Sequence, residues 1–520
     1  MRLKVACIVF IFVSFGLQSF AQTKGKVPEV EEADEHFKHG NYIMALPIYR
    51  DIFKVEKDNK KVQYKLALCY LNTNFNRTEA VKNLEAITKD PKCEDEAWYF
   101  LGHAYHLAGK MDDAIAAFEK YKKLAPKKAA ETDRQIGMCN NAKMFMSMPV
   151  NVTFVNLGKD LNSEDPDYYP FVNAEETFMA FTSRRKENIG GKKVEVDGYH
   201  PSDIYYSKVE NGKWTKATNP GNAINSPLDE QVVWLKPDAS EMMVYLDHID
   251  KFGDLYLSSK RNGSGDFMKG KLLPEQVNAK VETSGCYGPD GNVIVFARRD
   301  AVGDKSDIYT CRKLPTGAWG QPYKLPAQIN TQYNEDFPFL AGDGVTLYFS
   351  SEGHNSIGGY DLFKSVYNPD DNTWSEAENL GYPINSFADD RSISLTPDMR
   401  AGYISAFRPG GFGDLDIYRI RFNQNEQIVR IVTGRVCLGD TANKPKSTIA
   451  TIIAVNKSTN EEYTFVPNSK NGKYVLALGA GVYKVTVRVD GYANVEEELT
   501  FSDIGKVEME KNKNYVLKKQ

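Results

Sequence analysis

Seven histidines, seven cysteines and several adjacent acids are the residues of this 520-residue chain whose chemistry could be put to use. His36 and His39, and again His103 and His106, stand three residues apart, so each pair would share one helix face. Two imidazoles do not make a metal site, and no third ligand follows at a metal-site spacing. Cys69, Cys93, Cys139, Cys286, Cys311 and Cys437 are scattered without a Cys-x-x-Cys pair, which reads as buried free thiols. Asp414 and Asp416 lie in a Gly-rich loop that lacks the alternating oxygens of a calcium loop. Glu335-Asp336 and Asp389-Asp390 offer the two carboxylates a glycosidase needs. Adjacent acids on a strand point to opposite faces, so they are expected to be charged surface turns. No nucleophile elbow, His-Glu-x-x-His helix, P-loop or dinucleotide fingerprint occurs. The expectation is no catalytic residue, no metal and no cofactor.

One acid does recur. Asp203-Ile204-Tyr205, Asp254-Leu255-Tyr256, Asp307-Ile308-Tyr309, Asp361-Leu362-Phe363 and Asp416-Ile417-Tyr418 repeat a motif at intervals of 51, 53, 54 and 55 residues. Turns such as Pro289-Asp290-Gly291 and Gly342-Asp343-Gly344 precede it. An aromatic and an Asn-ended segment follow it: Trp214 then Asn225, Trp319 then Asn330, Trp374 then Asn385. Each unit supplies about four short strands, the content of a propeller blade. The repeated Asp residues read as structural, capping a turn through backbone N–H groups at each strand start. Asn-ended segments occur at Asn162, Asn225, Asn278, Asn330 and Asn385, and the first precedes any complete repeat. Val152–Leu157 is therefore expected to supply the outer strand of the last blade, closing a ring that leaves no aggregating edge. The spacing gives five blades over 150–422, with six as the alternative. Lys186–His200 lengthens one unit and is a candidate contact loop.

Residues 27–146 carry helical periodicity instead. Trp98, Leu101, Gly102, Tyr105, Gly109, Ala114, Phe118, Tyr121 and Pro126 are the large and small positions of a 34-residue tetratricopeptide repeat. Ala33, Gly40, Tyr42, Ala45 and Tyr49 mark an earlier unit, and Ala67, Tyr70, Ala80, Leu84 and Pro91 a less regular one. Lys127 to Met146 reads as the solvating cap helix of the stack. The first helix of each pair would line the concave face, placing Tyr64, Glu96, Tyr99, His103 and His106 in a partner groove or against the next domain.

The chain opens with Arg2 and Lys4, an apolar run and Ser19-Phe20-Ala21, the pattern of a signal peptide over 1–21. No later stretch reaches the ~20 apolar residues of a membrane span. Lys plus Arg is 65 against Asp plus Glu 69, a net charge of -4, which argues against nucleic acid as partner. Alternating strands with an Asn471-Gly472 hairpin turn make 428–520 a small β-sandwich.

The Pro-Asp-Gly-like turns, Phe181-Thr182-Ser183, Phe349-Ser350-Ser351 and the Asp-Ile-Tyr strands resemble the WD40-like propeller repeat of bacterial envelope proteins, the kind also found in TolB. Gly434-x-Val436, Lys444-Pro445, Asn471-Gly472-Lys473-Tyr474, Gly481-x-Tyr483 and Gly491-Tyr492 resemble the carboxypeptidase regulatory-like, transthyretin-like fold. In that order the modules resemble a Bacteroidota envelope family that includes the periplasmic scaffold of type IX secretion and gliding. The resemblance implies an exported, non-catalytic scaffold in the periplasm or on the periplasmic face of the outer membrane, binding envelope or secretion-machinery proteins. It also implies an OmpA-like domain, which does not follow here, so the expectation is anchoring through a partner or a paralogue with another role. The alternative is a module that binds a small ligand or glycan in the propeller mouth.

Overall fold

The computed structural model describes residues 30–248, 253–261, 265–423, 430–439, 450–468, 471–479, 481–501 and 513–520. The expected leader and the Lys444-Pro445 turn lie outside them. The chain divides into two compact units: residues up to Cys93 with Val196–Gly198, and Glu94–Glu195 with Tyr199–Gln520.

In the first unit α1 (Val30–Lys38), α2 (Tyr42–Val55), α3 (Lys60–Leu71) and α4 (Arg77–Thr88) each pack on the helix before. Asn41 and Asn59 start α2 and α3 by accepting the otherwise orphaned N–H groups of Met44 and Val62 at 3.0 and 3.1 Å. Small Ala33, Ala45 and Ala67 interleave with Tyr49 and Leu84 in the core.

The second unit begins with α5 (Glu96–Leu107), α6 (Met111–Leu124) and α7 (Ala129–Ser147). Gly102 is required where α5 meets α6, because a Cβ there would stand 2.6 Å from the Phe118 ring. That contact buries Phe118 completely, worth roughly 2–3 kcal/mol. Gly109 turns the chain at φ +73°, a conformation that suits glycine. α7 turns Met138, Cys139 and Ala142 inward, as a cap helix should. The sequence placed this boundary between 146 and 150. By packing it falls after Cys93, because α5–α7 share a core with Ile357 and Phe387 of the strand region.

Strand β1 (Val152–Asn156) leads into five antiparallel sheets. The first is β2 (Asp167–Val172), β3 (Phe178–Ser183), β4 (Asp203–Glu210) and β5 (Lys213–Trp214). The second is β6 (Glu230–Leu235), β7 (Glu241–Leu246), β8 (Asp254–Ser259) and β9 (Lys271–Leu272). The third is β10 (Val281–Tyr287), β11 (Val293–Arg299), β12 (Asp307–Arg312) and β13 (Tyr323–Lys324). The fourth is β14 (Glu335–Leu340), β15 (Thr346–Ser351), β16 (Asp361–Asn368) and β17 (Thr373–Trp374), with β18 (Glu378–Asn379) also on β16. The fifth has three strands of its own, β19 (Ile393–Leu395), β20 (Ala401–Ala406) and β21 (Asp416–Phe422). Its outer strand is β1, paired from Val152 with Phe422 to Asn156 with Tyr418.

The first strands pack together: β2 on β6 and β19, β6 on β10, β10 on β14. Strands β2, β6, β10 and β14 each carry a bulge. Tyr169 and Phe337 sit in two of these bulges at φ +53° and +48°. The kink aims their rings from the first and fourth sheets at one another, with centroids 4.2 Å apart.

The last strands are β22 (Arg430–Leu438), β23 (Ala450–Asn456), β24 (Glu462–Phe465), β25 (Lys473–Leu478), β26 (Gly481–Val489), β27 (Val495–Phe501) and β28 (Tyr515–Leu517). They form a sheet β25-β22-β28 and a sheet β24-β23-β26-β27 that share one core, including Val432, Ile452, Leu476, Val485 and Leu517.

Candidate functional site

All five repeated acids, Asp203, Asp254, Asp307, Asp361 and Asp416, are buried where the third strand of a sheet begins. Asp361 accepts Ile357 N at 2.6 Å, Gly358 N at 3.2 Å and Asn379 Nδ2 at 3.0 Å. Asp416 accepts Phe412 N and Asn156 Nδ2, both at 2.7 Å. Asp203 accepts Ile189 N at 2.8 Å and Asn219 Nδ2 at 2.6 Å. Burial holds the Asp203 and Asp361 carboxyls above the usual range. Asp307 differs, pairing with Lys305 at 3.3 Å and Lys324 at 2.7 Å, while Asp254 faces His248 at 3.6 Å.

The Asn-ended segments have a shared task. Each Asn amide clasps the residue after the repeated Asp, accepting its N–H and donating to its carbonyl. Asn225 holds Ile204 at 2.9 and 2.9 Å, and Asn278 holds Leu255 at 2.9 and 2.8 Å. Asn330 holds Ile308 at 2.7 and 2.9 Å, and Asn385 holds Leu362 at 2.7 and 2.9 Å. Asn162 reaches Ile417 across 255 residues at 2.8 and 3.2 Å. The amide pairs a residue at the start of the third strand that the register of the outer strand does not include.

A second ring of acids follows each Asn by four or five residues. Asp167, Glu230, Glu282, Glu335 and Asp390 are all buried, and each accepts a backbone N–H from the segment after the Asn. Burial pushes Glu230 and Asp390 up to about 7. Arg185 pairs with Asp167 at 2.8 Å and Arg298 with Glu282 at 2.6 Å. Glu335, Asp336 and Asp390 are thus interior groups, which corrects the expectation of charged surface turns. The two neighbours do point apart: Glu335 takes Thr331 Oγ1 at 2.7 Å, whereas Asp336 takes Ser284 Oγ of the third sheet at 2.5 Å.

On the helices, the expected partner residues separate. Tyr64 lies half-buried on α3 in the first unit, and Glu96 is exposed in the first turn of α5. Tyr99 and His103 meet one turn on, rings 4.7 Å apart, with Tyr99 donating to Glu131 at 3.1 Å. Burial against Tyr99 and Phe118 pushes the His103 imidazole down to about 4, so it is neutral at pH 7. His106 does not line an open face: it is buried, with Nε2 2.8 Å from the Ile357 carbonyl and its ring beside Phe387. Arg134 donates to the Glu352 carbonyl at 2.6 Å and Asn141 to that of Ser356 at 3.1 Å, so α5 and α7 are fastened to one loop of the fourth sheet. Among the described residues no group of three or more His, Cys, Asp or Glu is arranged to hold a metal. Burial pushes the Cys69, Cys139 and Cys286 thiols up to about 12, leaving them unreactive.

The turns joining the first and second strands of all five sheets converge on a cavity of about 830 Å³. Trp234, Tyr287 and Trp319 line one side, with Lys236, Asp238, Glu241, Asp290 and Lys313 among them.

A tetratricopeptide-repeat profile matches residues 76–129. No curated protein matches the sequence. Among solved structures, a protein described as TolB from Agrobacterium tumefaciens is 13% identical at a TM-score of 0.32, over 63% of this chain and 98% of that one. TolB from Acinetobacter baumannii is 12% identical at 0.31, over 56% and 70%. A glycoside hydrolase is 7% identical at 0.35, over 54% and 94%. Over 76–129 the helices are of the tetratricopeptide kind. No described helix is long and apolar enough to cross a membrane.

Proposed function

We propose that this chain is an exported, non-catalytic scaffold that binds envelope proteins from the periplasm or the periplasmic face of the outer membrane. The tetratricopeptide match over 76–129 carries this reading, since such repeats present a preformed groove to protein partners. Anchoring supports it: α5 and α7 are held by His106, Arg134 and Asn141, while Glu96 stays exposed. The five sheets are read as five blades of a propeller closed by β1, and the final pair of sheets as a transthyretin-like sandwich. Export rests on the leader pattern in the sequence, and a place in type IX secretion on the order of the modules. Non-catalytic action is consistent with the buried acids, whose hydrogen bonds go to turns and strand starts.

Tagged full-length protein drawn from envelope extract should bring down outer-membrane or secretion proteins. The variant Glu96→Lys should lose them at an unchanged melting temperature. Recovery that is indifferent to this substitution, or of cytoplasmic proteins alone, would contradict the reading.

A further inference from the structure

We propose that the cavity at the convergence of the five turns is a binding site for a neutral saccharide. This goes beyond the scaffold reading and stands on different residues. Its volume, about 830 Å³, lies in the range of preformed ligand sites. Tyr287 is flanked by Trp234 at 5.3 Å and Trp319 at 6.0 Å between ring centroids, giving a continuous aromatic side. Trp234 is buried and backs the cluster, while Tyr287 and Trp319 keep part of their surface open. Such rings present electron-rich faces, and a pyranose offers the complementary surface: C–H bonds on its face and hydroxyls around its edge.

The polar groups favour hydroxyls over ions. Lys236 lies 3.5 Å from Asp238 and 3.3 Å from Glu241, and Lys313 sits 5.6 Å from the centroid of the Trp319 ring. Asp290 accepts Asn292 N at 2.9 Å and its Nδ2 at 3.2 Å. Two ammonium groups stand among three carboxylates, so no strong field of either sign selects a phosphate or a cation. Carboxylates and ammonium groups fixed beside apolar rings still supply acceptors and donors at set positions. An acyl chain would bury them without compensation.

The test uses the full-length protein with mannohexaose, cellohexaose and chitohexaose as probes, followed by tryptophan fluorescence and calorimetry. At least one should bind saturably and shift the emission. Trp319→Ala should weaken it at least ~10-fold, and Glu241→Gln, which keeps the side-chain shape, by about fivefold. Tyr323→Ala, on β13 and outside the cavity lining, should leave it unchanged. If Trp319→Ala lowers the melting temperature, Glu241→Gln decides alone. Absence of saturable binding by all three up to about 10 mM would overturn the proposal. So would binding indifferent to both substitutions, or a peptide library that binds in their place and is lost with Trp319. None of these outcomes bears on the partner capture described above.

Discussion

Where α5 meets α6 the approach is governed by shape: Gly102 leaves room for Phe118, against which the Tyr99 and His103 rings pack. Where the third strand of each sheet needs a partner, a side-chain amide supplies the hydrogen bonds, as Asn385 does for Leu362. The two regions also place charge differently. Helix ion pairs such as Lys122–Asp133 and Lys143–Asp112 lie at the surface, where they contribute little. Arg298–Glu282 is buried, where a partner left alone is costly. Repeats built on shape tolerate graded error, whereas repeats built on buried polar clamps lose them whole.

That contrast breaks first at the buried ion pair. Arg298→Met should cost about 3–5 kcal/mol in chemical denaturation, with much of it restored by adding Glu282→Gln. Asn385→Leu comes next, stranding the buried Leu362 N–H at an expected ~1–3 kcal/mol while its carbonyl keeps Leu380 N, and Asn330→Leu should match it. Gly102→Ala should cost about 1–3 kcal/mol by displacing Phe118; a cost near zero would mean the helices separate freely.

A further effect is with pH. Burial makes Glu230 and Asp390 hold protons up to about 7 when folded, above the ordinary carboxylate values of 4.5 and 3.8. Between those limits the native state binds more protons than the unfolded chain, so their contribution is fully present at low pH and is lost as pH rises through about 7. Thermal melts from pH 5 to 8 should show this decline, and Glu230→Gln should flatten it.

Much of the strand architecture was legible because turn chemistry repeats: five Asn-ended segments predicted five sheets and a closing strand from Val152. What the Asn residues do was not legible, since Asn162 and Ile417 meet across 255 residues. The second acid ring was missed although Asp167, Glu230, Glu335 and Asp390 all stand five residues after an Asn, and Glu282 four after. That offset was a usable signal; read as isolated pairs, these acids looked like surface turns. On the helices, spacing placed Gly102, Ala114 and Phe118 well. It offered His106 to a partner groove or to the next domain without choosing, and the Ile357 carbonyl that its ring meets lies 251 residues away.

The account rests on the helical face doing its work by contact with another protein. A photo-crosslinking residue at position 96, activated in intact cells, tests this most directly. An adduct to an outer-membrane or secretion protein, absent when the same residue replaces exposed Lys457 of the final sheets, is the predicted result. Crosslinks confined to this chain, or to cytoplasmic proteins, would contradict it.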